Sequence, residues 1–137
     1  MTNQKSTANL WCAVSNRHKG VVKLLPRRRN VTPDRPDIDG QTALLFAASN
    51  RYEKVVKPLL RRDGVDPTKP DNNSRTPLWC AASNGSEGPV KLLLSQDSVN
   101  PNRIDKNRRI PLWCAAMNEH KRLGEILLRQ DDFGPTN

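Results

Sequence analysis

The stretch that decides the fold is TPLWCAASNG, residues 76–85. Its pattern of a leucine, a bulky apolar pair and two small residues recurs three more times at a constant spacing of 34 residues. The related stretches are NLWCAVSNRH at 9–18, ALLFAASNRY at 43–52 and PLWCAAMNEH at 111–120. Repeats of this length indicate a solenoid, because one such unit cannot bury its own apolar face and must stack on its neighbours.

Each unit carries the pattern of two helices followed by a projecting connection. The alanine-rich stretch favours a first helix, helix A, because small side chains let a neighbouring helix approach, and a proline such as Pro77 is tolerated at a first helical position. After a polar break, a leucine-rich stretch such as PVKLLLSQD favours a second helix, helix B. The remaining segment is rich in Pro, Asn and Asp and predicts a hairpin-like finger loop. We therefore expect one all-α domain, residues 1–137, of four helix-turn-helix units at about 6–39, 40–73, 74–107 and 108–137.

These residues resemble a known family. The Thr-Pro-Leu start and Ala-Ala pair of residues 76–85, followed by VKLLL and VNPN, are similar to the ankyrin repeat. The segment VDPT and the later DNNSRTPL resemble the ankyrin arrays of fungal multidomain proteins, including NLR-like immune receptors. The resemblance covers nearly the whole chain and implies an ankyrin-repeat solenoid that binds protein partners without catalysis. It also implies that partners contact the finger tips and the adjoining concave face of helices A.

Two departures from the regular pattern predict local differences between units. The glycine that ends helix A is present only as Gly85, while Arg17, Arg51 and Glu119 occupy the same position elsewhere. Pro58 falls inside helix B of unit two, where a proline costs about 3 kcal/mol. Unit two is therefore predicted to be the least stable unit, with a bent or late-starting helix B.

The three cysteines occupy one position of the repeat, and Phe46 occupies it in unit two. Because phenylalanine neither ligates metals nor attacks substrates, this position is predicted to serve packing. Equivalent helices in stacked units lie roughly 8–10 Å apart, beyond the limit of about 7 Å between Cα atoms for a disulfide. We therefore expect reduced, packed thiols; redox sensitivity is the alternative, and no paired-cysteine spacing suggests a metal site. The cysteines are Cys12, Cys80 and Cys114.

A tryptophan precedes each cysteine, and Leu45 replaces it in unit two. Trp11, Trp79 and Trp113 are predicted to form contacts between units; the alternative is that they anchor a partner, above all at the ends of the array. His18 and His120 open the turn between helices, where the family uses local hydrogen bonds. No catalytic triad, phosphate loop or zinc motif is present in the sequence, so we expect neither an enzyme nor a cofactor or metal.

The net charge indicates which kinds of partner to expect. Lys and Arg number 23 against 14 Asp and Glu, which gives a formal net charge of +9 and favours acidic proteins, nucleic acid or anionic surfaces. The sequence MTNQKSTANL lacks the pattern of a secretory signal, and no stretch approaches the roughly 18 apolar residues of a membrane span. An intracellular protein without a membrane contact is expected, in either the cytoplasm or the nucleus.

The predicted fingers are RPDIDGQ at 35–41, KPDNNSR at 69–75 and RIDKNRR at 103–109. Their basic residues favour an acidic protein partner, whereas the competing interpretation treats them as solvated charges that keep the surface soluble. Nucleic acid is disfavoured because aspartates alternate with the cations and the fingers carry no aromatic residue. The candidate protein-binding residues are Arg35, Lys69, Arg75, Arg103, Lys106, Arg108 and Arg109.

The sequence thus predicts a protein-protein interaction module. Unit one begins directly with an apolar helix A, and the sequence ends within a fourth finger. Since solenoids need polar caps, these ends suggest a segment of a longer array in a signalling or scaffold protein. Association between the ends of two molecules, in place of a monomer, is the alternative.

Overall fold

The computed structural model describes residues 35–132, and the positions of side chains through residue 129. This range contains six α-helices and no β-strand, which confirms the predicted all-α class for the described residues. The helices are α1 Ala43–Ser49, α2 Glu53–Leu60, α3 Pro77–Ser83, α4 Glu87–Leu94, α5 Pro111–Met117 and α6 Lys121–Asp132. They are helices A and B of the predicted units two, three and four; nearly all of unit one lies outside the described residues.

The start of helix A is fixed by a threonine cap in two of the three units. The hydroxyl oxygens of Thr42 and Thr76 accept backbone N–H bonds from Leu45 and Trp79, each at 3.1 Å. Such caps are worth about 1 kcal/mol, because they satisfy a donor that the helix leaves unpaired. In α5 the cap position is Ile110, which makes no such bond.

The end of helix A requires a left-handed residue in every described unit. The φ angle is +64° at Arg51, +72° at Gly85 and +59° at Glu119. This conformation costs a residue with a Cβ atom roughly 1–2 kcal/mol, whereas glycine adopts it freely. The repeat therefore keeps the same turn with glycine in one unit and with strained residues in the other two.

Helix α2 excludes the late start, one of the two alternatives predicted from Pro58; the bend and the low stability of unit two stay predictions. It begins at Glu53, in register with Glu87 of α4, and both helices contain eight residues, so the predicted late start is wrong. The physical reason is that the N–H groups of Val55 and Val56 bond the carbonyl of Tyr52 at 2.9 Å. Those bonds start the helix before Pro58 is reached, and the proline removes only a later bond.

The helices pack in two layers. Helices α1, α3 and α5 stack side by side in one layer, and α2 packs against α4 in the other. Alanines such as Ala47, Ala48 and Ala81 are fully buried where the layers meet. The leucines of helix B, including Leu59 and Leu93, complete this core, and burial of each side chain contributes about 1.5–3 kcal/mol.

Candidate protein-binding surface

Each finger is braced by an aspartate at its base. One carboxylate oxygen of Asp71 accepts the backbone N–H groups of Asn73 and Arg75, both at 2.9 Å, and the other accepts Nε of Arg75 at 2.8 Å. Asp105 repeats this pattern with Asn107 and Arg109. Both carboxylates are buried, so they hold the finger instead of facing a partner. Sequence reasoning missed this role, although the recurrence of Asp at 37, 71 and 105 was its signal.

The fingers are joined to one another through their backbones. The N–H of Asn72 bonds the carbonyl of Asp39 at 3.1 Å, and the N–H of Lys106 bonds the carbonyl of Asn73 at 3.0 Å. At Gly40 the backbone has a φ of +79°, and a Cβ atom there would overlap the Asn72 side chain. The fingers therefore form one connected row with a fixed spacing.

Two predicted site residues, Arg75 and Arg109, are partly buried and take part in the fold. The Arg75 guanidinium lies 5.7 Å from the ring centroid of Trp79, and that of Arg109 lies 5.0 Å from the ring of Trp113. Each also pairs with the aspartate of its own finger. The indole Nε1 of Trp79 donates to the carbonyl of Arg109 at 3.1 Å, which ties unit three to the finger of unit four.

The other predicted cations lie closer to solvent. Arg35, Arg103, Lys106 and Arg108 are exposed, while Lys69 is half-buried. Arg103 donates from Nη1 to the carbonyl of Thr68 at 3.0 Å, which fixes its position beside the preceding finger. Hydrogen bonds from the Thr68 hydroxyl and amide lower the pKa of nearby Asp66, and the positive charges of Arg103 and Lys69 lower it further.

The net charge of the fingers increases along the row. The formal charge is −1 for residues 35–41, +1 for 69–75 and +3 for 103–109. Because Asp105 is buried beneath its own finger, the exposed charge of the third finger comes from Arg103, Lys106 and Arg108. The row of fingers is thus most basic at the third finger.

The cysteines are packed thiols where the structure describes them. Cys80 and Cys114 are both free and buried, in a cluster with Leu45 and Trp79. Burial raises the pKa of Cys80 to about 12 and the pKa of Cys114 to about 11. The neighbouring carboxylates, Asp71 for Cys80 and Asp105 for Cys114, raise them as well. The prediction of reduced, packed thiols is confirmed at these two positions, and Cys12 lies outside the described residues.

The tryptophan and histidine positions connect neighbouring units. Trp79 is 8% exposed, and its bond to the next finger confirms the predicted contact between units; Trp113 is 42% exposed. Nε2 of His120 lies 3.2 Å from the carbonyl of Ser83 in the preceding unit. The backbone N–H of His120 bonds the carbonyl of Ala115 at 2.8 Å, so the expected local hydrogen bonding is present and the ring adds a contact between units. Trp11 and His18 lie outside the described residues.

Within residues 35–132 no cluster of three or more His, Cys, Asp or Glu side chains could hold a metal ion. Among the six described helices, none has the length and apolar character needed to cross a bilayer.

The two helical layers and the connected row of fingers define the class: a helical repeat protein with one continuous, elongated surface. The family model for ankyrin repeats (3 copies) matches residues 1–71 and again residues 63–137, so the chain belongs to the ankyrin-repeat family. Members of this family generally mediate protein-protein interactions and are typically not enzymes. No curated protein matches the chain in sequence. The resemblance to fungal NLR-like arrays stays a prediction.

Proposed function

We propose that this chain binds an acidic protein partner through its finger row, with the third finger as the main contact. The observation that carries the proposal is the arrangement of residues 103–109. The only carboxylate of that finger is buried, while Arg103, Lys106 and Arg108 are exposed. The third finger therefore presents three exposed cations to a partner and no exposed carboxylate.

The third finger also offers an apolar contact among its charges. Ile104 is 46% exposed and lies between Arg103 and the Asp105 brace. Protein interfaces combine apolar contacts with complementary charges, and the charges mainly set specificity and the association rate. An acidic segment with an apolar side chain matches this finger better than a uniformly charged polymer does.

The charge gradient along the fingers favours one direction of binding. The first finger has Asp39 exposed beside Arg35 and is net negative, whereas the third finger is the most positive. A partner whose acidic region meets the third finger and whose basic region meets the first finger is complementary to the whole row. The same gradient opposes nucleic acid, because a phosphate backbone is negative along its entire length.

The test is a charge reversal that leaves the hydrogen bonds of Asp105 with Asn107 and Arg109 intact. Arg103→Glu, Lys106→Glu and Arg108→Glu are combined, while Arg109 is retained because it pairs with Asp105 and covers Trp113. The control variant reverses Lys54, Lys57 and Arg61, which are three exposed cations of unit two away from the fingers. The two variants have identical net charge.

Captured proteins are quantified after nuclease treatment, and the strongest is purified for titration against both variants. We expect the finger variant to lose binding by about tenfold or more, with a salt-dependent affinity, and the control variant to retain it. Equal loss in both variants, or loss of all capture after nuclease treatment, would contradict the proposal.

A further inference from the structure

The helix B layer contains a basic groove that the finger row does not include. The groove has a volume of about 500 Å³ and runs along α6 opposite Lys91 of α4. Its described lining residues are Lys91, Lys121, Arg122, Glu125, Ile126 and Arg129. This volume lies within the range of about 300–1,000 Å³ that is usual for ligand sites.

The charge of the groove exceeds what its carboxylates neutralise. One oxygen of Glu87 pairs with both Lys91, at 3.2 Å, and Arg122, at 3.0 Å. Among the side chains that the structure describes through residue 129, counting Glu87 and Glu125 against the four lining cations leaves a net charge of +2. Lys121 and Arg129 are exposed and lie eight residues apart on α6, with Glu125 between them in sequence.

The equivalent place between α2 and α4 shows that this charge is specific to unit four. There the register places Lys57 and Lys91 against Glu53 and Glu87, which balance to zero. The two helices also pack directly, and the Glu53 carboxylate lies over Gly88. In unit four the position of Glu87 is taken by Lys121 and that of Gly88 by Arg122, so the outer helix of this pair brings two cations where α4 has a carboxylate and a glycine. Glu87, which occupies the position of Glu53, pairs with Arg122 and leaves Lys121 without a matching carboxylate at the position of Glu87.

We propose that this groove is a second binding site, which takes an acidic peptide segment carrying an aliphatic side chain. The cations complement the acidic side chains, and Ile126 together with the methylene stems of the lysines and arginines provides the apolar contact. Glu125 disfavours a dense polyphosphate, which it would repel, but it can accept N–H groups of a peptide backbone. The site lies in the helix B layer and shares no lining residue with the proposed finger contact.

The experiment measures the fluorescence anisotropy of a dye-labelled peptide of alternating glutamate and leucine. A peptide with glutamine in place of glutamate, and inorganic tripolyphosphate as a competitor, serve as probes of charge and of ligand class. The test variant combines Lys121→Glu and Arg129→Glu, and its control combines Lys54→Glu and Lys57→Glu, an equal charge change on α2. A milder variant, Lys121→Gln with Arg129→Gln, guards against loss of folding, which circular dichroism monitors.

We expect the groove variant to weaken binding of the acidic peptide by about tenfold, the glutamine variant by less, and the α2 control hardly at all. The finger variant should still bind this peptide, and that result separates the groove from the proposed finger function. Equal weakening in the groove and α2 variants would overturn the proposal, as would undiminished binding in the groove variant. Equally tight binding of the glutamine peptide, or complete competition by tripolyphosphate at equal concentration, would also overturn it.

Discussion

Units three and four carry the same six residues, PLWCAA, at 77–82 and 111–116, yet these residues lie in different surroundings. In unit three the tryptophan is 8% exposed and bonded to the next finger, whereas in unit four it is 42% exposed. Both cysteines are buried. The comparison shows that the outer side of helix A takes its burial from the following unit, while its inner side is packed by its own unit and the preceding one.

The largest predicted difference concerns the two tryptophans. Trp79→Ala should lower the free energy of unfolding by about 3–5 kcal/mol, because it removes a buried side chain and a bond between units. Trp113→Ala should lower it by about 1 kcal/mol, since nearly half of that side chain faces solvent. Urea denaturation of both variants measures the two effects. Equal losses would show that the following unit does not determine the burial.

Substitutions in the turn after helix A should change the free energy of unfolding by less. The change should have opposite signs in units three and four. Glu119→Gly is expected to raise the free energy of unfolding by about 1 kcal/mol, because glycine relieves the positive φ. Gly85→Ala should lower it, since its Cβ would also lie 2.7 Å from the His120 ring. Thermal unfolding followed by circular dichroism tests both. The control is Glu119→Ala, which keeps a Cβ atom and should change little; stabilisation by this control would refute the strain argument.

The helix B glycines offer a third comparison. Gly124 occupies the position of buried Val90, and its added Cβ would meet only Leu112 Cδ1, at 3.9 Å. Gly124→Ala should therefore stabilise the chain by about 0.5–1 kcal/mol through helix propensity. Gly88→Ala should gain less, because its Cβ overlaps the Glu53 carboxylate. A larger gain at Gly88 than at Gly124, measured by urea denaturation, would mean that Glu53 moves aside without loss.

The smallest predicted effect is the pH dependence of stability caused by the buried thiols, Cys80 and Cys114. It should be similar in units three and four. The pKa of Cys80 is raised to about 12 and that of Cys114 to about 11, from an ordinary value of 9.0, so the folded chain keeps protons that the unfolded chain loses. The stability that these thiols contribute is complete well below the unfolded value of 9.0, begins to fall as the pH approaches 9 and is lost as the pH rises toward 11 and 12.

Between pH 8 and 9 this loss should amount to a few tenths of a kcal/mol for each thiol. The measurement is the free energy of unfolding against pH for the wild type and for Cys80→Ala with Cys114→Ala. The double variant should be less stable overall but should show a flatter decline. A decline of the same slope in both proteins would contradict the assignment.

The sequence alone predicted the helices and the role of the cysteines. Pro77 and the repeated leucines place the helix starts, because both act locally and recur in register. Phe46 was decisive for the thiols, since one apolar substitute excludes chemistry at the whole position. The late start predicted for helix B of unit two failed because the effect of Pro58 depends on where the helix is already started by Tyr52.

The candidate sites were less accessible from sequence. The sequence shows Asp105 only as one of the aspartates that alternate with the cations, whereas its carboxylate is buried and accepts two backbone N–H groups of its own finger. Arg75 and Arg109 appeared as free cations, although each covers a tryptophan. The groove along α6 depends on how α4 and α6 are spaced, and a one-dimensional pattern does not contain that distance.

The unequal burial of Trp79 and Trp113 also makes the two units optically distinguishable. An indole that is buried away from water emits at a shorter wavelength than one that faces water, and Trp79 is 8% exposed against 42% for Trp113. Variants that retain only one tryptophan would therefore report separately on the interior and on unit four. In a solenoid each unit is coupled mainly to its direct neighbours, so units can unfold one after another. The emission wavelength and the quenching of each tryptophan would then report the order in which the units unfold.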